Sequence, residues 1–254
     1  MSADVSADAA SPYYPARMGL EPLPPEAWLL PQPGDGALLR LRAQLIEAHG
    51  PEVIAALPEA DAAVAELMDE LRRRGYAIAQ TAGGPTSLEA LGRAVAEDIC
   101  VLTEKGGGFR LTAGVLCFPN RWRLCEKIGG SVLDVHGPVP DYAEHLSIGV
   151  DRFLARLKPA RAYLRRNWGL SSSSALFLPA PTPPVDPRHD ADIFFRREDQ
   201  SFFKLPNTGA VIFAIRTAVT PWADMPELIR AEILAMIDAL HPAWLDYKSI
   251  KPVS

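Results

Sequence analysis

Two tight connections constrain this chain more than any other feature. Pro206-Asn207-Thr208-Gly209 separates the β-forming runs Ser201 to Leu205 and Ala210 to Thr217, and Gly106-Gly107-Gly108 joins Ile99 to Thr103 with Phe109 to Phe118. Links this short can return a strand only beside its predecessor, because a parallel neighbour needs a crossover of about a dozen residues or more. With Ala160 to Leu170 and Ile193 to Arg197 as further strands, the chain is expected to build an antiparallel sheet.

Helical periodicity surrounds that strand set. From Ala37, the residues Leu38, Leu41, Leu45 and Ile46 recur at helical spacing and stop before the terminator Gly50-Pro51. Glu59 to Arg73 puts Val64, Leu67, Met68 and Leu71 on one face, with Gly75 closing it. Ser87 is expected to cap a third helix running to about Glu97. Pro119 to Ile128 fits a short helix, whereas Ser131 to Pro140 reads as irregular because Pro138 and Pro140 exclude a regular one. Pro140 to Leu157 is helical again, striped by Leu146, Val150, Phe153, Leu154 and Leu157. A proline-rich loop covers Ser171 to Asp190; an amphipathic helix, Pro226 to Leu240, and a short turn from His241-Pro242 to Tyr247-Lys248 follow. The fold class is therefore α+β. Residues 1–36 read as a Pro-rich N-terminal arm whose Trp28, Leu29 and Leu30 lie against the body, and residues 37–254 as a single domain.

Charge and cysteine usage narrow the partners. A net charge of −5 gives no electrostatic reason to expect nucleic acid or an anionic membrane. No run of 18 apolar residues is present, and the first fifteen residues lack the basic start of a signal peptide. Cys100, Cys117 and Cys125 form no Cys-x-x-Cys pair; they read as small buried hydrophobes in a reducing, cytoplasmic setting.

Among the histidines, His49 stands at a helix end, His145 on either face of its helix, His189 in the proline-rich loop beside Asp190, and His241 before Pro242. His136 differs: in Val135-His136-Gly137-Pro138-Val139-Pro140 the glycine removes bulk beside the ring and the prolines stiffen the chain. That context suits a core histidine or a metal ligand. Glu198, in Arg196-Arg197-Glu198-Asp199-Gln200, is either part of an ion-paired strand surface or a carboxylate placed to handle a cation or proton.

Several stretches, in order, carry a resemblance: Leu116-Cys117-Phe118-Pro119-Asn120-Arg121-Trp122, Lys127-Ile128-Gly129, Val135 to Pro140, Arg165-Arg166-Asn167-Trp168, Arg196 to Gln200, Leu205 to Val211, Ile215-Arg216-Thr217 and Tyr247-Lys248. Together they resemble the alpha subunits of haem-dependent oxidative N-demethylases over about residues 20 to 250. The resemblance implies a PAS-like antiparallel sheet with flanking helices holding one haem b. It also implies oxidation of a small methylated amine with dioxygen, releasing formaldehyde. Electrons would come from a separate flavin and iron–sulfur reductase, since the chain has neither a cysteine cluster nor a dinucleotide fingerprint. By the same resemblance His136 is the iron ligand, with His145 in reserve, and the porphyrin lies between the strands and the Pro140 to Leu157 helix. Glu198 then handles the amine and Asn167 hydrogen-bonds substrate or dioxygen. Arg121 and Arg165 pair with haem carboxylates, and Trp122 and Trp168 line the macrocycle or pack in the core.

The chain departs from the family pattern at Asp199 and Asn207, which stand where arginines are common, so positive charge is lost there. A non-enzymatic haem or small-molecule sensor, and a haem-free interaction subunit, are the competing readings. Purified chain supplied with haem should give a Soret band that His136→Ala weakens or shifts; an unchanged mutant spectrum removes His136 from the ligand role.

Overall fold

The computed structural model describes residues 19–80, 85–136 and 147–252, the side chains of Pro85, His136, Ser147 and Ile148 excepted. Its centre is one seven-stranded sheet in the order β1-β5-β6-β7-β3-β4-β2. The strands are β1 (Glu21–Leu23), β2 (Ile54–Ala56), β3 (Asp98–Lys105), β4 (Gly108–Val115), β5 (Ala162–Ser171), β6 (Phe194–Lys204) and β7 (Val211–Pro221). Every neighbouring pair is antiparallel, including β3–β4 and β6–β7, the two that the tight connections dictate. Gly106 and Gly107 take positive φ at the first of them and Gly209 at the second.

The helices are α1 (Gly36–Val53), α2 (Asp61–Arg73), α3 (Pro85–Ala94), α4 (Leu124–Lys127), α5 (Val132–His136), α6 (Ser147–Arg156), α7 (Glu227–Asp238) and α8 (Pro242–Tyr247). They divide between the faces according to the two-residue alternation of the strands. Ile99 and Val101 face α1, α2 and α3, where Ile46, Leu67, Leu71 and Leu91 are buried. Cys100 and Leu102 face the opposite way, toward Leu124, Val132, Leu154 and Leu157 of α4, α5, α6 and the residue after it. A third cluster packs α7 and α8 on Trp168, Leu170 and Phe195. Gly92 sets how closely α3 approaches: a Cβ there would lie 2.7 Å from Val115 Cγ1 and 2.8 Å from Ile46 Cδ1.

Several expectations need correction. Ile193 to Arg197 and Ser201 to Leu205 are not separate strands; β6 runs unbroken through the polar middle because β5 and β7 take up its backbone on both sides. Gly50-Pro51 does not end α1. The helix kinks at His49 (φ −130°) and continues to Val53, with the Ile54 amide bonded to the Gly50 carbonyl, and β2 follows at once. Ser87 lies inside α3 rather than capping it. Ser131 to His136 is not irregular: Ser131 Oγ accepts from the Asp134 amide at 3.2 Å, and Asp134 Oδ2 accepts from the Ser131 amide at 2.8 Å. That reciprocal pair starts α5 in the manner of a capping box. Cys100 and Cys117 are buried, but Cys125 is exposed.

No helix among the described residues is long and apolar enough to cross a membrane. The N-terminal stretch joins the sheet through β1, and Trp28 is fully buried, stacked 4.2 Å from Phe203 with its Nε1 donating to Ser201 Oγ. Arg74 Nη1 donates to the Pro25 and Trp28 carbonyls at 2.7 Å each, whereas Leu30 is exposed. Trp28→Ala should therefore cost about 3–5 kcal/mol, measured as a lower urea midpoint; a loss below about 1 kcal/mol would mean that this segment packs independently of the sheet.

Candidate functional site

The registers of β5, β6 and β7 bring the polar motifs into one patch. Asn167 pairs with Glu198 and Glu198 with Thr217; one pleat away Arg165 pairs with Gln200, and on the other side Gly169 pairs with Arg196. Directly paired residues share a sheet face, so three separate motifs meet on one surface. Glu198 is buried, and its carboxylate accepts from Arg196 Nε at 3.3 Å, Gln200 Nε2 at 2.9 Å and Asn167 Nδ2 at 3.2 Å. A carboxylate has about four acceptor positions, which leaves one. Across from it, Thr217 is 3% exposed, and its hydroxyl has no hydrogen-bond partner among the described residues.

Arg196 is fixed from behind by the carbonyls of Leu176 (3.1 Å) and Phe118. The strand edge is closed by a different device. β1 pairs only with Ala162 to Leu164, so among the described residues the rest of β5 has no strand beyond it. Trp168 and Leu170, two residues apart, turn their carbonyls to that edge. Lys248 Nζ donates to the first at 2.7 Å and Arg121 Nη2 to the second at 3.0 Å. Arg121 Nη1 also donates to Ser249 Oγ at 2.8 Å and to the Tyr247 carbonyl at 3.2 Å, tying down the residues on either side of Lys248. Lys248 is buried, its ammonium 4.3 Å from the centre of the Trp168 ring. Burial pushes its pKa down to about 7, Glu198 opposing and Arg121 and Arg165 assisting. Burial, and then the Glu198 charge, raise that of Tyr247.

The predicted site residues are thus partly gathered. Asn167 and Glu198 are in contact and Arg165 stands one pleat along. A Cβ on Gly169 would come within 4.0 Å of Arg121 Nη2, so Arg121 lies over the same strand. Trp122 packs elsewhere, against the cluster of Leu124 and Leu154. Trp168 belongs to the α7 and α8 cluster. His49 sits beside Glu52 at 3.1 Å and His189 beside Asp186 at 2.7 Å, both exposed pairs, and His241 caps α8 by accepting from the Ala243 amide. The His136 side chain and His145 lie outside the described residues. No group of three or more His, Cys, Asp or Glu that could hold a metal ion occurs among the described residues; a haem iron asks for fewer protein ligands than that.

Sequence reasoning passed over Lys248, Thr217 and the anchoring part of Arg196. All three stood within the family-like motifs; what was missing was the register that aligns them. The space under α6 is packed: Leu154 and Leu157 are buried, and the Phe153 ring meets the Tyr163 and Phe202 rings edge-on at 5.4 Å each. Beside the helix, however, two adjoining grooves of about 310 and 370 Å³ open between α6, β1 and the start of β5.

A family model described as haem-dependent oxidative N-demethylase, alpha subunit-like, matches residues 74–254. No curated protein matches the chain.

The lowered pKa of Lys248 has a definite sign in stability. The unfolded chain holds that proton up to about pH 10.4, whereas the folded one releases it near pH 7. Wild-type stability relative to Lys248→Met should therefore climb between about pH 7 and 10. In ¹³C NMR the Lys248 ε-carbon should titrate near neutrality, and a midpoint close to 10 would refute this.

Proposed function

The chain belongs to the haem-dependent oxidative N-demethylase, alpha subunit-like family, and on that premise we propose that it is the haem-carrying, amine-oxidising subunit of such a system. The substrate is a small methylated amine. Five long strands, in the spatial order β4-β3-β7-β6-β5 with α4 to α6 inserted after the second in sequence, form an antiparallel sheet with flanking helices, and this supports the PAS-like reading that the resemblance implies.

The residues present fit a haem in the chemistry its periphery demands. The grooves beside α6 combine apolar walls, such as Phe153 and Tyr163, with Arg152, Arg156, Lys158 and Arg161. On the resemblance, His136 would hold the haem iron, with His145 in reserve. When bound, haem b supplies dioxygen activation and electron transfer, drawing electrons from a separate flavin and iron–sulfur reductase.

The chain's own residues act on the amine. Loss of two electrons and one proton from a methylated amine gives an iminium ion; water adds to its carbon, and the C–N bond breaks to release formaldehyde and the shorter amine. Only the free base carries the lone pair from which electrons leave. Among the described residues Arg196 donates to the Glu198 carboxylate and Arg121 stands near it, so this patch disfavours an ammonium ion and favours the neutral amine. Glu198 then accepts the N–H of a secondary amine such as dimethylamine at its remaining acceptor position, oriented by Asn167 and Gln200; a neutral tertiary amine has no N–H and forgoes this contact. Lys248, whose pKa burial lowers to about 7, closes the strand edge through its bond to the Trp168 carbonyl.

One observation carries this reading: the Thr217 hydroxyl, buried and without a hydrogen-bond partner among the described residues, opposite a carboxylate to which those residues leave one acceptor position. A hydroxyl left unsatisfied costs about 1–3 kcal/mol, a cost that a bound ligand removes. With haem and a flavin and iron–sulfur reductase supplied, dimethylamine or trimethylamine should drive oxygen uptake and release formaldehyde. Glu198→Gln should lower kcat by about 100-fold or more. Thr217→Val should raise KM while stabilising the free protein by about 1 kcal/mol. A haem-loaded protein that consumes no oxygen with any small methylated amine would instead be a sensor.

A further inference from the structure

The grooves beside α6 are distinguished by the sign of their lining. They share Arg156 and Tyr163 and so form two lobes of one recess. Four cationic side chains, Arg152, Arg156, Lys158 and Arg161, line it, and no aspartate or glutamate among the described residues does. In a chain of net charge −5 this is a local reversal. Other arginines of the molecule, among them Arg42, Arg74, Arg93, Arg188 and Arg216, stand within salt-bridge distance of a carboxylate. None of these four forms an ion pair among the described residues.

The backbone holds this arrangement against its own preferences. Arg152 and Arg156 are four residues apart on α6, where like charges face each other and destabilise the helix by a few tenths of a kcal/mol. Between Lys158 and Arg161 the chain turns through Ala160 at φ +55°, a conformation that a residue with a Cβ adopts at a cost of about 1 kcal/mol or more. The Ala160 amide is held there by the Lys204 carbonyl at 2.9 Å. Apolar side chains complete the recess: Leu20, Leu23, Phe153, Leu157 and the ring of Tyr163.

We propose that this recess is a binding site for a flat apolar ligand carrying two carboxylates on one edge, with Arg152, Arg156, Lys158 and Arg161 as their partners. Guanidinium groups match carboxylates two bonds at a time, and the apolar walls take the ligand body. The inference rests on the haem reading, since a haem presents this edge, and it moves the carboxylate anchor away from Arg121. The guanidinium of Arg121 already donates to Leu170, Tyr247 and Ser249. Position agrees with the substrate patch: Tyr163, Arg165 and Asn167 occupy successive positions on the same sheet face, spanning roughly 13 Å at about 3.3 Å per residue. The recess therefore opens at the end of the strand face whose other end carries Glu198.

The test uses the full apo-chain and iron-free protoporphyrin IX, whose binding owes nothing to an iron ligand. Porphyrin fluorescence follows titration with the free diacid and with its dimethyl ester, which keeps the shape and removes the charge. Wild type should bind the diacid at least tenfold tighter than the ester, with the difference shrinking as salt is raised. The double variant Arg152→Glu/Arg156→Glu, at exposed positions, should bind both forms equally with an unchanged melting temperature. Retention of the diacid preference in that variant, or wild-type uptake of both porphyrins without preference, overturns the assignment and leaves the haem reading standing. Failure of the wild type to take up either porphyrin or haem overturns both.

Discussion

A buried ion pair between the first residue of β3 and α1 holds the rest of the structure in place. Arg42 Nη1 donates to Asp98 Oδ1 at 2.6 Å with both side chains fully enclosed, and the carboxylate also accepts the amides of Cys117 at 2.7 Å and Phe118 at 2.9 Å. Burial pushes the Asp98 carboxyl upward, against the pull of Arg42 and the two amides. Such a group is tolerated only while all its partners remain, because an uncompensated buried charge costs several kcal/mol. The pair therefore fixes the path of the chain as it leaves β4. The Phe118 carbonyl receives Arg196, and Arg196 donates to Glu198. Core and candidate site are one continuous network of polar contacts.

The opposite face of the sheet explains the departures at Asp199 and Asn207. Asp199 pairs across with Arg216, so it lies on the other side of the strand from Glu198. Its carboxylate lies near Arg166 at 3.6 Å and Arg197 at 3.2 Å. Arg216 meanwhile binds Asp35 and Glu97 at 2.8 Å each, tying the N-terminal stretch to the start of β3. Losing a positive charge at Asp199 thus alters an ion network behind the sheet and leaves the Glu198 surroundings intact. Asn207 is exposed, and its amide, with that of Thr208, donates to Glu66 at 2.8 Å each. That use of the turn needs no particular side chain.

These cases show what the residues alone could and could not reveal. Antiparallel pairing was legible because tight turns leave no alternative, and α2 was legible because Val64, Leu67, Met68 and Leu71 repeat at helical spacing. The polar middle of β6 was not, since Arg196 to Gln200 looks like a surface break until two flanking strands are known to satisfy its backbone. The start of α5 was hidden for another reason: the prolines at 138 and 140 drew attention from a Ser131–Asp134 pair that works over four residues. In the site, Glu198 and Asn167 stood out through their motifs, but their contact depends on a register set by the whole length of β5 and β6. Thr217 and Lys248 stood within such motifs too, but nothing in the motifs showed their roles, because an unpartnered hydroxyl and a desolvated ammonium are properties of the neighbours.

The two halves of the sheet face differ in how their charges are treated, and that difference orders the site. At the Glu198 end the cations are anchored: Arg196, Arg121 and Lys248 each donate to backbone carbonyls, so their positions are set before any ligand arrives. Fixed positive charge around one carboxylate shapes the protonation of whatever binds, without having to move. At the α6 end the cations are exposed on flexible stems and can close on a ligand's own charges. On the proposed reading, preorganisation stands where the amine would be oxidised and adaptable pairing where the cofactor would be held, as a cofactor-dependent oxidation requires of its protein. The register of β5 against β6 places both on a single surface.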